Sequence, residues 1–413
     1  MSQIQRNRLA DVPSVPVSTI PESQRVCKSC GAGGMRVFYE VRGIPVHSCM
    51  LLPTRAEALT FPRGDLALGF CSHCGFISNL LFDSRLQNYA PGYEEQQSFS
   101  DRFNEFARTL ATRLLNRYNL RGKKLVEIGC GKGDFLVLMC ELGQCHGIGI
   151  DPSFIPGRME GPAAGRVRFI QDFYSERYAD ITGDMILCRH TLEHIDTTAN
   201  FMRCVRNTVG DRRDTIVFFE VPDVGRVLRE QAFWDIYYEH CSYFTLGSLA
   251  RLFRTCGFEV LDLAKDYDDQ YLLIEARPVD APARPQLDAE NDLAYTARDV
   301  AVFEQGFQKT AGMWRTRLDE IRRTGQRAVI WGSGSKCVAF LSTLGVRDEI
   351  EWIVDINPYR HGKFLAGSGI EIRSPETLRA YQPQVVIAMN PIYREEIRKD
   401  LERMGLRPEL LAV

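Results

Sequence analysis

The sequence has no long hydrophobic run, no excess of either charge and no dinucleotide fingerprint, and each absence removes a class of function. No apolar stretch is long enough to cross a bilayer, and the first residues lack the apolar segment of a signal peptide. A cytoplasmic protein without a membrane partner is therefore expected. Lysine and arginine number 51 against 53 acidic residues, a net charge of −2. No basic face is on offer for nucleic acid or anionic lipid. At 413 residues the chain exceeds one ordinary hydrophobic core, and two or three domains are expected.

What is present begins with cysteine. Thirteen cysteines are unevenly placed, which fits a reducing compartment and a metal site better than a disulfide framework. After a polar, proline-dotted lead-in over residues 1–22, Cys27-Lys-Ser-Cys30 and Cys71-Ser-His-Cys74 are each followed by glycine. Two such turns can supply four thiolates to one tetrahedral ion. Four thiolates leave no open position, so a structural zinc on Cys27, Cys30, Cys71 and Cys74 is expected within a module over residues 23–84. The forty residues between the pairs imply an insertion, in which His47 and Cys49 are further candidates, with His73 inside the second pair.

The stretch Lys124-Leu-Val-Glu-Ile-Gly-Cys-Gly-Lys-Gly-Asp134 reads as a buried strand, a glycine turn and the start of a helix. Glycines let such a turn tighten and approach a ligand closely. A dinucleotide site would read G-x-G-x-x-G. Here the order is E-x-G-x-G-x-G (Glu127, Gly129, Gly131, Gly133), which resembles motif I of class I S-adenosylmethionine-dependent methyltransferases. The ligand implied by that resemblance carries a cation and no pyrophosphate, so a strand-end carboxylate is tolerable. Apolar strands then alternate with helices from 85 to 278. Glu127, Asp151, Asp172, His190 and Glu220 fall at strand carboxyl ends, where open α/β sheets bind ligands. A proline-rich linker (279–290) and a long helix lead into a second strand-turn-helix, Ala328-Val-Ile-Trp-Gly-Ser-Gly-Ser-Lys336, the start of a C-terminal Rossmann-like domain over 291–413. The fold class expected is α/β: a methyltransferase-like Rossmann core between a zinc module and a second Rossmann-like unit.

The paired Cys-x-x-C module, the glycine core, Thr191-Leu-Glu-His194-Ile195 and Tyr237-Tyr-Glu239-His240 before Tyr243-Phe244 together resemble the zinc-containing sugar C-methyltransferases. Trp331-Gly-Ser-Gly-Ser-Lys336 and Asp355-Ile-Asn-Pro358 extend the likeness from Cys27 to Val413. It implies methyl transfer from S-adenosylmethionine to carbon 3 of a nucleotide-linked 4-keto deoxysugar. Enolisation needs a general base. Carried over, His240 is that base, with Glu239 positioning or assisting it. Tyr237 and His194 would hydrogen-bond near the ketone and hydroxyls. The resemblance implies cofactor contacts from Glu127, Gly129, Gly131, Gly133, Asp151, Asp172 and His190. One departure is Asp266-Tyr-Asp-Asp-Gln270, where the family has a histidine and paired glycines. These carboxylates suit hydroxyls or an amine better than a diphosphate, which leaves N- or O-methylation of a sugar or small natural-product intermediate as the alternative. A zinc-scaffolded binding protein without catalysis is the non-enzymatic alternative.

Overall fold

The computed structural model describes residues 21–89, 92–158, 163–281, 284–346 and 348–413. Most of the expected lead-in (residues 1–20), and residues 282 and 283 of the expected linker, lie outside them.

The N-terminal module is a hairpin built on β1 (Arg36–Pro45), α1 (Arg55–Leu59), β2 (Arg63–Phe70) and β3 (Ile77–Asn79). The hairpin is the insertion required between the two cysteine pairs, and its inner face buries Phe38, Tyr39, Leu66 and Leu68. Next comes α2 (Asp101–Arg117), capped where the Ser100 side chain accepts from the Phe103 N–H. Its stripe of Phe106, Leu110, Ala111, Leu114 and Leu115 is buried on the following sheet, as the apolar spacing predicts.

That sheet begins with β4 (Lys124–Ile128), α3 (Asp134–Gly143), β5 (His146–Ile150), β6 (Val167–Ile170) and β7 (Met185–Arg189). It continues through α4 (Thr198–Val209), β8 (Ile216–Pro222), α5 (Val224–Glu230), the short β9 (Ser242–Tyr243), α6 (Leu246–Thr255), β10 (Phe258–Asp266) and β11 (Tyr271–Pro278). Its strand order is β10-β11-β8-β7-β4-β5-β6. The five strands β4 to β8 pair in parallel, and β11 runs antiparallel to both β8 and β10. β9 leaves this sheet and pairs with β3, closing the N-terminal sheet in the order β1-β2-β3-β9. The aromatic segment ahead of β9 is thereby anchored to the cysteine module.

A 32-residue helix, α7 (Leu293–Thr324), leads to β12 (Ala328–Trp331), α8 (Ser335–Leu344), β13 (Trp352–Val354), β14 (Ile372–Arg373), α9 (Leu378–Tyr381), β15 (Val385–Ala388), α10 (Arg394–Arg403) and β16 (Glu409–Ala412). Its five strands are all parallel, in the order β14-β13-β12-β15-β16. This repeats the inner arrangement β6-β5-β4-β7-β8 of the larger sheet. One hydrophobic cluster joins Phe38 and Tyr39 of the hairpin, Phe233 and Trp234 of the aromatic segment, Phe303 of α7 and Phe340 of α8. Phe303 meets Tyr39 edge-on at 5.4 Å. The three parts thus share a core. Among the described residues, no helix is long and apolar enough to cross a membrane.

Candidate active site

The carboxyl ends of the central strands and the turn after β12 face a cavity of about 790 Å³, walled by all three parts of the chain. On the core side it is floored by the glycine turn. Gly129 sits at φ +69°, and a β-carbon there would lie 1.9 Å from Thr191 Oγ1, so both the backbone angle and the close approach require glycine. Gly131 N–H donates to Asp151 Oδ2 at 2.8 Å, and Ser153 N–H and Oγ both donate to Oδ1 at 2.7 Å. Asp151 therefore ties the turn after β4 to the end of β5. The same device recurs in the C-terminal sheet, where Ser333 and Asn357 N–H groups donate to Asp355 at 2.7 and 2.9 Å. Gly133 caps α3 in the left-handed region, behind the wall.

Glu127 is buried at the wall, and its Oε2 has no hydrogen-bond partner. Burial pushes its carboxyl up to about 8, with Arg189 offsetting part of the effect. At pH 7 such a carboxyl is mostly protonated, and a cationic ligand beside it would favour its ionised form. His190 packs against Tyr271 with ring centroids 4.5 Å apart and places Nε2 2.7 Å from Glu220. Burial pulls His190 down, but Glu220 and Glu193 outweigh it and lift the imidazole to about 9. Asp172 is not brought into the wall. Tyr178 and Arg177 occupy its carboxylate, and its neighbour Phe173, 58% exposed, lines the cavity instead.

Tyr237, His240 and His194 line the same cavity as the glycine turn. The Cys241 N–H donates to the Glu193 carbonyl at 3.0 Å, which holds the two segments side by side. The rings of His194 and His240 lie 4.8 Å apart and nearly perpendicular. Tyr237 Oη is 3.0 Å from His240 Nε2. His194 Nδ1 lies 3.1 Å from the Glu239 carbonyl oxygen, which can only accept, so Nδ1 carries a proton directed at it. Burial, with His194, His190 and Lys336 nearby, holds His240 well below the usual imidazole range. It is neutral at pH 7 and free to accept a proton.

Glu239 goes elsewhere. It is fully buried and absent from the cavity wall. Its carboxylate accepts from His47 Nδ1 at 3.0 Å and from the Ser48 N–H at 3.1 Å. The Asn88 N–H donates to His47 Nε2 at 2.7 Å. His47 is thus part of the join between the hairpin and the aromatic segment, while Cys49 Sγ lies 3.5 Å from Ser335 Oγ of α8, and among the described residues neither falls in a cluster able to hold a metal.

The four expected cysteines do converge. Cys27 and Cys74 sulfurs lie 3.6 Å apart and Cys30 and Cys71 3.7 Å apart, with all four within 4.8 Å of one another. A tetrahedron with metal–sulfur bonds of about 2.3 Å has edges of about 3.8 Å. The set fits a tetrahedral thiolate-bound ion such as zinc.

The remaining walls come from a strap that carried no sequence signal and from residues of the C-terminal part. Tyr89 Oη lies 2.8 Å from His194 Nδ1. Tyr93 and Glu95 form a strap over the glycine turn, held by Lys132 Nζ at 2.7 Å from the Tyr93 carbonyl and 3.2 Å from Glu95. This strap has no hydrophobic period, and only its cluster of tyrosines and acids could have marked it. From the C-terminal sheet, Lys336 pairs with Asp235 at 2.8 Å, and Asp235 also binds Arg226. Asn390 exchanges two hydrogen bonds with Gln270 at 2.9 and 3.1 Å. Asp266, Asp268 and Asp269, by contrast, are exposed and outside the wall. Residues 267–269 are three consecutive left-handed residues, and Tyr267 stacks on Tyr271.

Comparison with known proteins follows the same division. A methyltransferase domain family model matches residues 99–263, and a C-methyltransferase C-terminal domain model matches residues 275–407. The C-methyltransferase NovU of Streptomyces niveus is 27% identical over 295 residues, covering 67% of this chain and 68% of that protein. Among solved structures, the 1,6-didemethyltoxoflavin-N1-methyltransferase of Burkholderia thailandensis is 20% identical, covering 44% of this chain and 82% of that one, with a TM-score of 0.32. The magnesium protoporphyrin IX methyltransferase of Synechocystis PCC 6803 is 13% identical over 43% of this chain and 83% of that one, with a TM-score of 0.34. With the two domain matches following one another along the two sheets, the chain is an S-adenosylmethionine-dependent methyltransferase.

Proposed function

We propose that this enzyme methylates carbon 3 of a nucleoside-diphosphate-linked 4-keto sugar, with His240 as the general base. What supports the reading most is that Tyr237, His194 and a neutral His240 face the same cavity as the glycine turn. Carbon as the acceptor is supported by the C-methyltransferase C-terminal domain match and by NovU. Glu127, Gly129, Gly131, Asp151 and His190 would hold S-adenosylmethionine, whose bound sulfonium supplies an activated methyl group. His240 takes the proton from the carbon beside the ketone. Tyr237, His194 and Tyr89 offer hydrogen bonds to the developing enolate oxygen and the sugar hydroxyls. Lys336 and Arg226, paired with Asp235, and Asn390 also line the cavity and would offer donors to the diphosphate. The four cysteines would hold zinc as a closed structural site. The N- or O-methyl alternative rested on the acidic turn at 266–269, and those carboxylates lie outside the cavity wall.

The test is direct. Purified protein is incubated with methyl-labelled S-adenosylmethionine and a panel of nucleoside-diphosphate 4-keto-6-deoxyhexoses, and NMR locates the label. Label on carbon 3 is expected. Label on nitrogen or oxygen, or none with any member, would sink the proposal.

A further inference from the structure

We infer that Glu193, and not Glu239, is the carboxylate that supports the imidazole base, a step that rests on the reading of His240 given above. Glu239 is already committed to His47, Ser48 and Ser335. Glu193 is 2% exposed, and neither of its carboxylate oxygens has a hydrogen-bond partner. The charged group nearest to it is His190, with Nδ1 3.5 Å away. A carboxylate oxygen of Glu193, a ring nitrogen of His194 and a ring nitrogen of His240 all lie within 4.8 Å of one another. The Cys241 N–H to Glu193 carbonyl bond fixes this spacing through the main chain.

His190, lifted to about 9, stands beside Glu193 but makes no hydrogen bond to it at 3.5 Å, and a buried carboxylate with neither oxygen hydrogen-bonded is costly. The arrangement makes sense for a state in which a donor appears beside it. That state is the imidazolium formed when His240 takes the acceptor's proton. The proton moves from carbon to ring nitrogen, the C–H electron pair stays with the enolate, and Glu193 keeps its charge throughout. The other groups facing His240 give no such help. His194, His190 and Lys336 oppose its protonation, and Tyr237 and Tyr243 are neutral phenols raised well above their usual range by burial. Glu193 is therefore a positioning residue that acts through the imidazole.

The experiment compares full-length wild type, E193Q, E193D and H240N. Histidine side chains labelled with carbon-13 are titrated by NMR, which needs no acceptor. kcat is then measured on the 4-keto sugar nucleotides of the methylation panel. In E193Q the His240 titration is expected to move to lower pH and kcat to fall about a hundredfold. E193D should recover part of both, and it carries the test alone if E193Q does not fold. A shift confined to His190, or full activity in E193Q while H240N is inactive, would overturn the role of Glu193 and leave His240 standing. Full activity in H240N would instead remove the underlying reading. Metal analysis gives the last outcome. A second divalent ion per chain, beyond one on the thiolates and lost in E193Q, would make the cluster a metal site and overturn the inference.

Discussion

Buried Arg189 and Glu220 and the partly buried His190 form a charged group whose protonation ties stability to pH. Burial pushes Glu220 up, but Arg189 and His190 outweigh it and bring the carboxyl to about 2. Its contribution is present above its usual 4.5 and is lost as pH falls through about 2. His190, lifted to about 9 from its usual 6.5, contributes fully below 6.5 and loses that contribution as pH rises through 9. Glu127, raised to about 8, acts in the same direction as His190, because unfolding lets it ionise above its usual 4.5. The Tm of the cofactor-free protein is therefore expected to fall between pH 6.5 and 9. A flat or rising Tm across that interval, measured by calorimetry, would contradict these assignments. Single residues were also where the sequence reading erred. Strand-end position put Asp172 in the site, but Tyr178 and Arg177 compete for its carboxylate. Motif position made Glu239 the residue that positions or assists His240, but His47, distant in sequence, takes its carboxylate.

Whole elements were far more legible. Helices α2 and α4 follow their apolar periods, α4 over Thr198–Val209 with Ala199, Met202, Val205 and Val209 buried. The glycine turn after β4 was legible because its geometry is local: the left-handed angle and the missing β-carbon are properties of the residues themselves. Gly129→Ala is accordingly expected to destabilise the protein by about 2 kcal/mol or more and to abolish cofactor binding, since its methyl would meet Thr191. Calorimetric titration with S-adenosylhomocysteine checks this, and wild-type affinity in the variant would refute it. The acidic turn between β10 and β11 was misread because its direction depends on three successive left-handed residues and the stacking of Tyr267 on Tyr271. None of these leaves a mark in composition. The strap carrying Tyr89, Tyr93 and Glu95 was missed because it is ordered by partners from elsewhere, including Lys132 and His194.

Across the molecule, the cysteine module and the site are mechanically joined. Cys71 and Cys74 precede β3, which pairs with β9, and β9 follows His240 by one residue. Loss of a metal from the four thiolates should therefore loosen the wall carrying Tyr237 and His240 more than the glycine turn. Chelation, or Cys71→Ser, is expected to lower kcat at least about tenfold while changing affinity for S-adenosylhomocysteine little. Equal loss of both would mean that the module holds the whole fold and not one wall. The order of the three parts could be read from motifs along the chain. That their surfaces enclose one cavity could not, because it depends on the shared core of Phe38, Phe233, Phe303 and Phe340.

The central claim is that His240 removes a proton from carbon before any methyl group moves. Hydrogen–deuterium exchange at carbon 3 of a nucleoside-diphosphate 4-keto sugar, followed by NMR in D2O with no methyl donor present, tests it most directly. The account predicts enzyme-dependent exchange at that position, lost in H240N. Exchange that persists in H240N, or its absence from wild-type enzyme that methylates the same sugar, would contradict it.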